Sequence, residues 1–399
     1  MPRSLEDPIK ASQTTRFIGS FEGNKKGPTV IFFGGIHGNE PAGVQALEHV
    51  FSSLHKSELE INGAVFGIRG NIPALLQKKR FIEDDLNRIW SSEQIKQIEK
   101  KDRSNLRLEE IELLEIKDII TQILRTQSPP FYFIDFHTTS SKTLPFITIN
   151  DALINRRFSQ QFPVPIILGI EEYLEGPLLS RMNQLGYVSL GFESGQHDDP
   201  IAVENSIAFL WLTLVYTKVL DKEEVIDFDA YYHQLYTASE GNTNFYEVVH
   251  RQELKRNDAF SMLKGLESFQ KVSEGTLLAI QNEEKIYAEK DTILFMPLYQ
   301  RQGAEGFFLI RHTPNWALKT SAIIRKSKLD SLLTYLPGIS WSDHEKQSLL
   351  VNLNVARFFT KSFFHLLGYR NRKVDETHIL MHNRERTAKN KMYRKEAWY

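Results

Sequence analysis

His37 and Glu40 stand three residues apart in Gly34-Gly35-Ile36-His37-Gly38-Asn39-Glu40-Pro41-Ala42-Gly43. That spacing lets one turn of chain offer an imidazole and a carboxylate to a single cation. Both groups suit zinc, and the flanking glycines permit a tight backbone with space for metal and substrate. His-x-x-Glu is common by itself, so a third ligand is needed. His137 can supply it at the end of the apolar run Phe131-Tyr-Phe-Ile-Asp-Phe136. Asp135, two residues earlier, faces the same side of a strand and can accept the other ring N–H of His137. A core histidine with satisfied hydrogen bonds is the plain alternative.

Glu193 closes another apolar run, just before Ser194-Gly195-Gln196. A carboxylate beside a metal can take a proton from bound water and pass it to a leaving amine, which makes Glu193 the candidate base and acid. Without a metal nearby it would read as a solvated turn residue. Between Asn71 and Arg88, Arg80 and the tetrapeptide Asp85-Leu86-Asn87-Arg88 concentrate guanidinium and amide donors. Guanidiniums grip carboxylates through paired hydrogen bonds, so this segment could select an acidic ligand for a protein with little net charge. In isolation such residues are surface charges.

These side chains need loops at the ends of strands to bring them together. Thr29 to Phe33 is continuously apolar and β-rich and stops at Gly34-Gly35, which predicts a buried strand. Pro41 then suits the start of a helix carrying Val44, Leu47, Val50, Phe51 and Leu54 at helical spacing. Ala64 to Ile68 and Phe131 to Phe136 predict further strands, and Tyr187 to Phe192 alternates less cleanly. Roughly 91 to 128, rich in Glu, Lys, Ile and Leu, reads as helical. Strands interleaved with helices predict an α/β sandwich with its site at the strand ends.

After about Asp227 the texture changes to short segments: Phe245 to His250, Gly275 to Ile280, Thr292 to Met296 and Gly306 to Ile310. These predict a β-rich domain. From about Ile324 the chain reads as helices, with Pro337-Gly338 as a break and Leu349, Leu350, Leu353, Val355, Phe358 and Phe359 as an apolar helical surface. The expected division is 1–226, 227–323 and 324–399. Arg384, Arg386, Lys389, Lys391, Arg394 and Lys395 crowd the last stretch; a solvated or packed helix is the usual meaning of such a run.

The chain has 399 residues, 41% hydrophobic and 25% charged, with a net charge of -1. That balance excludes the broad basic surface of a nucleic-acid binder. With no cysteine, any metal must be held by His, Asp or Glu. The start, Met-Pro-Arg-Ser-Leu-Glu-Asp-Pro, lacks the apolar centre of a signal peptide, and no run of about 18 uncharged apolar residues occurs. A soluble cytoplasmic protein without membrane partners is expected, with a homo-oligomer left open.

Together these motifs resemble the succinylglutamate desuccinylase and aspartoacylase family, relatives of the zinc carboxypeptidases. The residues that carry the likeness are Gly35-Ile-His-Gly-Asn-Glu40 with Gly43, Asn71-Ile-Pro73, Arg80 with Asp85-Leu-Asn-Arg88, Asp135-Phe-His137-Thr-Thr-Ser140 and Glu193-Ser-Gly195. It extends over roughly residues 15 to 315. The resemblance implies one Zn2+ per chain on His37, Glu40 and His137, a catalytic Glu193, and substrate contacts from Arg80, Asn87, Arg88 and Arg181. A tyrosine expected from the β-rich region falls near Phe307 or Phe308.

The implied fold is a zinc-carboxypeptidase-like mixed-sheet α/β sandwich, followed by a β-rich domain that narrows the entrance and by the helical C-terminal extension. The implied activity is hydrolysis of a small acidic N-acyl amino acid, N-acetylaspartate- or N-succinylglutamate-like, with Arg80 joining Glu193 in catalysis. The alternatives are a zinc carboxypeptidase acting on peptides and a non-catalytic scaffold that retains the fold.

Overall fold

The structure is a computed structural model, and it describes residues 15–57, 59–327, 329–343, 346–355, 367–373 and 377–399. Phe358, Phe359 and the start of the chain, read above from sequence, lie outside the described residues.

The strand-forming runs behave as their apolar continuity predicts. In β2 (Lys25–Gly34), Val30 and Phe32 enter one core while Ile31 and Phe33 enter the other. In β4 (Phe131–Thr139), Tyr132, Ile134 and Phe136 share the first core, and Phe131 and Phe133 the second. A strand buried on both faces shows no polar alternation, because successive side chains meet helices on opposite sides. Helices Ala42–Lys56 and Pro200–Tyr216 contribute to the first face. Ser92–Ile98, Leu108–Thr126 and Leu178–Gln184 contribute to the second.

The sheet is mixed. β1 (Phe17–Glu22) pairs antiparallel with β3 (Asn62–Arg69), and β3, β2, β4 and β7 (Val188–Gln196) run parallel. β5 (Phe146–Ile149) joins β7 antiparallel, and β6 (Ile166–Leu168) runs parallel to β5.

The β-rich region is continuous with this sheet. β8 (Phe245–Glu253) pairs parallel with β6. β14 (Glu305–Thr313), β13 (Thr292–Phe295) and β10 (Lys271–Val272) extend the sheet to eleven strands. β9 (Phe260–Met262), β11 (Leu277–Gln281) and β12 (Glu284–Tyr287) form a separate three-stranded sheet.

The helical C-terminal extension is corrected. Helix Asn315–Lys326 precedes β15 (Ile339–Trp341), β16 (Ser348–Asn352), β17 (Tyr369–Lys373) and β18 (His378–Asn383), an antiparallel sheet of four strands. Leu349 and Leu350 sit on β16, and its short apolar run, Leu349 to Val351, cannot be told from a helix turn by periodicity alone. The basic tail packs: Tyr393 and Trp398 enter the first core, and the Tyr393 hydroxyl donates to the Phe131 carbonyl at 2.5 Å. No helix among the described residues is long and apolar enough to cross a membrane.

Candidate metal centre

Strand register places the central side chains. Gly34 of β2 lies opposite Phe136 of β4, and His137 lies opposite Glu193 of β7. His37, three residues past Gly34, therefore leaves its strand beside His137. Two glycines make the turn possible. A Cβ on Gly38 would lie 2.0 Å from the Ala74 backbone, and one on Gly43 would lie 2.3 Å from Phe136 Cβ. Close packing, more than room for a ligand, requires them.

Glu40 stands between the two imidazoles. Its Oε1 is 2.9 Å from His37 Nδ1, and its Oε2 is 2.9 Å from His137 Nδ1. The ligand atoms of the three buried residues lie within 4.8 Å of one another. Each imidazole is fixed from behind by a carboxylate: Asp85 Oδ1 is 3.1 Å from His37 Nε2, and Asp135 Oδ2 is 2.8 Å from His137 Nε2. Such backing orients a ring and raises its basicity as a metal ligand. Burial opposes charge on His137, but Asp135 and Glu40 outweigh it and hold its pKa well above the ordinary value. Burial likewise opposes the Glu40 carboxylate, and the two histidines hold its pKa well below the usual range. A compact two-His, one-carboxylate set with both rings backed fits a divalent cation such as zinc.

Glu193 is buried beside this group, and its Oε2 has no hydrogen-bond partner. Burial, with a further push from Glu40, raises its pKa to about 8 against the pull of His137. Arg80 holds Asp85 Oδ2 through Nε at 3.2 Å and Nη2 at 3.1 Å, while its Nη1 is 3.5 Å from Glu40 Oε1. Arg88 pairs with Glu305 at 3.1 Å. Asn87 lines the same cavity, and its Oδ1 accepts from the Leu178 backbone at 2.9 Å.

The segment carrying these donors folds over the site because buried Glu109 gathers it. Its carboxylate accepts from the backbone N–H groups of Ile82, Glu83 and Asp84 at 2.7, 3.1 and 3.2 Å, and from Asn71 Nδ2 at 3.0 Å. Sequence reasoning missed Glu109, and it missed Asp85 as the partner of His37. Asp85 lay inside a quoted motif; Glu109 sits in an ordinary-looking helix start and gave no signal.

Arg181 is not brought to the site. It donates to Ser92 Oγ at 2.9 Å and lines a separate cavity with Trp90 and Ile95. Burial lowers its pKa. Phe308 lines a small neighbouring cavity but offers no hydroxyl, and Phe307 is buried in the packing of the β-rich region.

The cavity at the His37, Glu40 and His137 group is about 100 Å³ and also meets Arg80, Arg88 and Glu193. Residues 299–302 form a segment tied to the loops that carry these residues. Gln300 accepts from Asn39 at 2.8 Å, the Tyr299 backbone donates to Ser140 Oγ at 3.0 Å, and Gln302 donates to the Phe81 carbonyl at 3.2 Å. His197, also missed, joins this network through Thr138 at 2.7 Å and Gln300 at 3.2 Å.

Residues 26–201 match the model of the succinylglutamate desuccinylase/aspartoacylase catalytic domain. A succinylglutamate desuccinylase of Photorhabdus laumondii is 32% identical over 89 residues, 22% of this chain and 26% of the relative. One of Pseudomonas paraeruginosa is 35% identical over 65 residues, 16% of this chain and 20% of the relative. The chain thus spans about a quarter or less of the length of these relatives. Among solved structures, a succinylglutamate desuccinylase/aspartoacylase from Rhodobacter sphaeroides has a TM-score of 0.53 at 15% identity, covering 73% of this chain and 87% of that one. The succinylglutamate desuccinylase from Chromobacterium violaceum has a TM-score of 0.53 at 12% identity, covering 77% and 97%. These likenesses show a shared mixed α/β fold.

Proposed function

We propose, from the match of residues 26–201 to the succinylglutamate desuccinylase/aspartoacylase catalytic-domain model, that the chain is a zinc-dependent amidohydrolase releasing the acyl group of a small, carboxylate-bearing N-acyl amino acid. The observation that carries this reading is the register of His137 against Glu193, which sets an unpartnered buried carboxylate oxygen beside the His-Glu-His group. We also read the sheet and its two helical layers as zinc-carboxypeptidase-like.

His37, Glu40 and His137 would hold the zinc, which when bound supplies Lewis acidity to the acyl carbonyl and an acidified water. Glu193 takes the proton from the attacking water and returns it to the departing nitrogen, splitting the amide into carboxylate and amine. Arg80, held in place by Asp85, directs its guanidinium to the carbonyl oxygen as negative charge grows there. Arg88 and Asn87 receive the α-carboxylate. A neighbouring cavity of about 70 Å³, with Ile170, Leu174, Met296 and Phe308 in its wall, suits a short acyl chain.

The volume of the cavity at the His37, Glu40 and His137 group, about 100 Å³, favours this reading over a carboxypeptidase acting on long peptides. Zinc content and amine release from N-acetylaspartate, N-acetylglutamate, N-succinylglutamate and N-succinylornithine test it. Release from one member with about one zinc per chain is expected. Faster cleavage of a longer peptide would favour the peptidase, and zinc without any release would favour the scaffold.

A further inference from the structure

The cavity has two chemically different walls. One carries Arg80, Asn87 and Arg88, and both of its guanidiniums already hold carboxylates, Asp85 and Glu305. The other is built from the ends of β5 and β6 and the start of helix Leu178–Gln184, with Thr148, Asn150, Glu171 and Ser180. Among the described residues lining this second wall there is no lysine or arginine.

Glu171 is 1% exposed. Its Oε1 accepts from the Asp151 backbone at 3.0 Å and pairs with Arg384 at 2.9 Å, and neither partner lines the cavity. Its Oε2 is buried with no hydrogen-bond partner. Arg384 is shared with Glu172 at 2.8 Å, and Arg370 donates to the backbone carbonyls of Glu171 and Leu174. A buried acceptor without a donor is destabilising, and one kept beside a substrate cavity calls for a donor from the ligand.

Resting on the deacylase reading, we propose that this wall receives the side chain of the substrate's amino-acid half, and that this side chain ends in a hydrogen-bond donor, an ammonium or amide, instead of a second carboxylate. The donor satisfies Glu171 Oε2, with Asn150 and Ser180, which hydrogen-bond each other at 3.3 Å, as further acceptors. A second carboxylate would face Glu171 on a wall whose lining residues include no lysine or arginine to offset the repulsion. The acidic character of the substrate then resides in its α-carboxylate.

The test uses the zinc-loaded full chain and three products of similar length: ornithine, glutamine and glutamate. Calorimetric titration gives their affinities, and amine release from their N-acetyl forms gives kcat/KM. Ornithine or glutamine is expected to bind at least about ten-fold more tightly than glutamate, with the same order in kcat/KM. Their order relative to each other separates ammonium from amide. In Glu171→Gln the ratio should fall to within about two-fold. Equal, reversed or absent binding in the unaltered chain overturns the proposal, and that ranking does not depend on how the variant folds. Tighter binding of the donor-ended amino acids without any hydrolysis contradicts the deacylase reading and leaves the assignment of Glu171 standing.

Discussion

Asp135 Oδ2 lies 2.8 Å from His137 Nε2 at a position with no solvent exposure, so the ring turns its Nδ1 toward Glu40. Removing that hold should loosen the metal without removing a ligand. Asp135→Ala is expected to weaken zinc binding by about 10- to 100-fold, measured by competition against a chromogenic chelator. Unchanged affinity would mean that the strand alone orients His137.

Glu193→Gln should retain metal and lose turnover by about 10²- to 10⁴-fold. Zinc analysis and single-turnover assays on one preparation separate the two effects. Near-normal turnover would remove Glu193 from proton transfer.

For Arg80→Ala, the expected loss is about 10²- to 10³-fold in kcat, with zinc stoichiometry retained. An effect confined to KM would assign Arg80 to substrate binding alone.

The C-terminal segment is fastened to the rest of the chain through a buried ion-pair cluster around Asp151. Arg325 pairs with Asp151 at 2.7 Å and Glu385 at 3.2 Å. Arg325→Met takes from Asp151 one of its two guanidinium partners and removes a guanidinium from Glu385, and should lower stability by about 3–5 kcal/mol, read by denaturant unfolding. A change below about 1 kcal/mol would contradict the bridge's structural importance.

Asp151 gives that bridge a pH dependence. Burial alone would raise its pKa, but Arg156, Arg325 and Arg384 outweigh burial and hold it below the ordinary value. A depressed carboxylate stabilises the fold above its unfolded pKa, about 3.9, and that contribution disappears as pH falls through the folded value. Glu385 in the same cluster is raised, chiefly by burial, and its contribution runs oppositely, weakening as pH rises through its folded value. Melting temperatures between pH 7 and 3 should therefore fall more steeply for the unaltered chain than for Asp151→Asn. Parallel curves would contradict this.

How much was legible in the sequence follows from what each residue depends on. That His37, Glu40, His137 and Glu193 come together was legible because the apolar runs before them mark strands buried on both faces, whose ends gather together. The continuity of the sheet through β6 was not legible. Three residues, Ile166–Leu168, make that join, and their pairing with β8 depends on contacts between segments far apart in sequence. β16 was read as helix because its short apolar run fits either period, whereas the observed pairing with β15 and β18 decides it. Glu109 and Glu171 act only through what folding brings against them.

The assignment of His37, Glu40 and His137 as ligands of the metal used to cleave an N-acyl amino acid is a proposal. It is tested most directly by measuring amine release from an N-acyl amino acid panel with the chain stripped of metal and then titrated with zinc. Release that is absent after stripping, returns with about one zinc per chain and cannot be restored in His137→Ala is the predicted result. Release that persists after complete stripping, or is unaffected in His137→Ala, would contradict it.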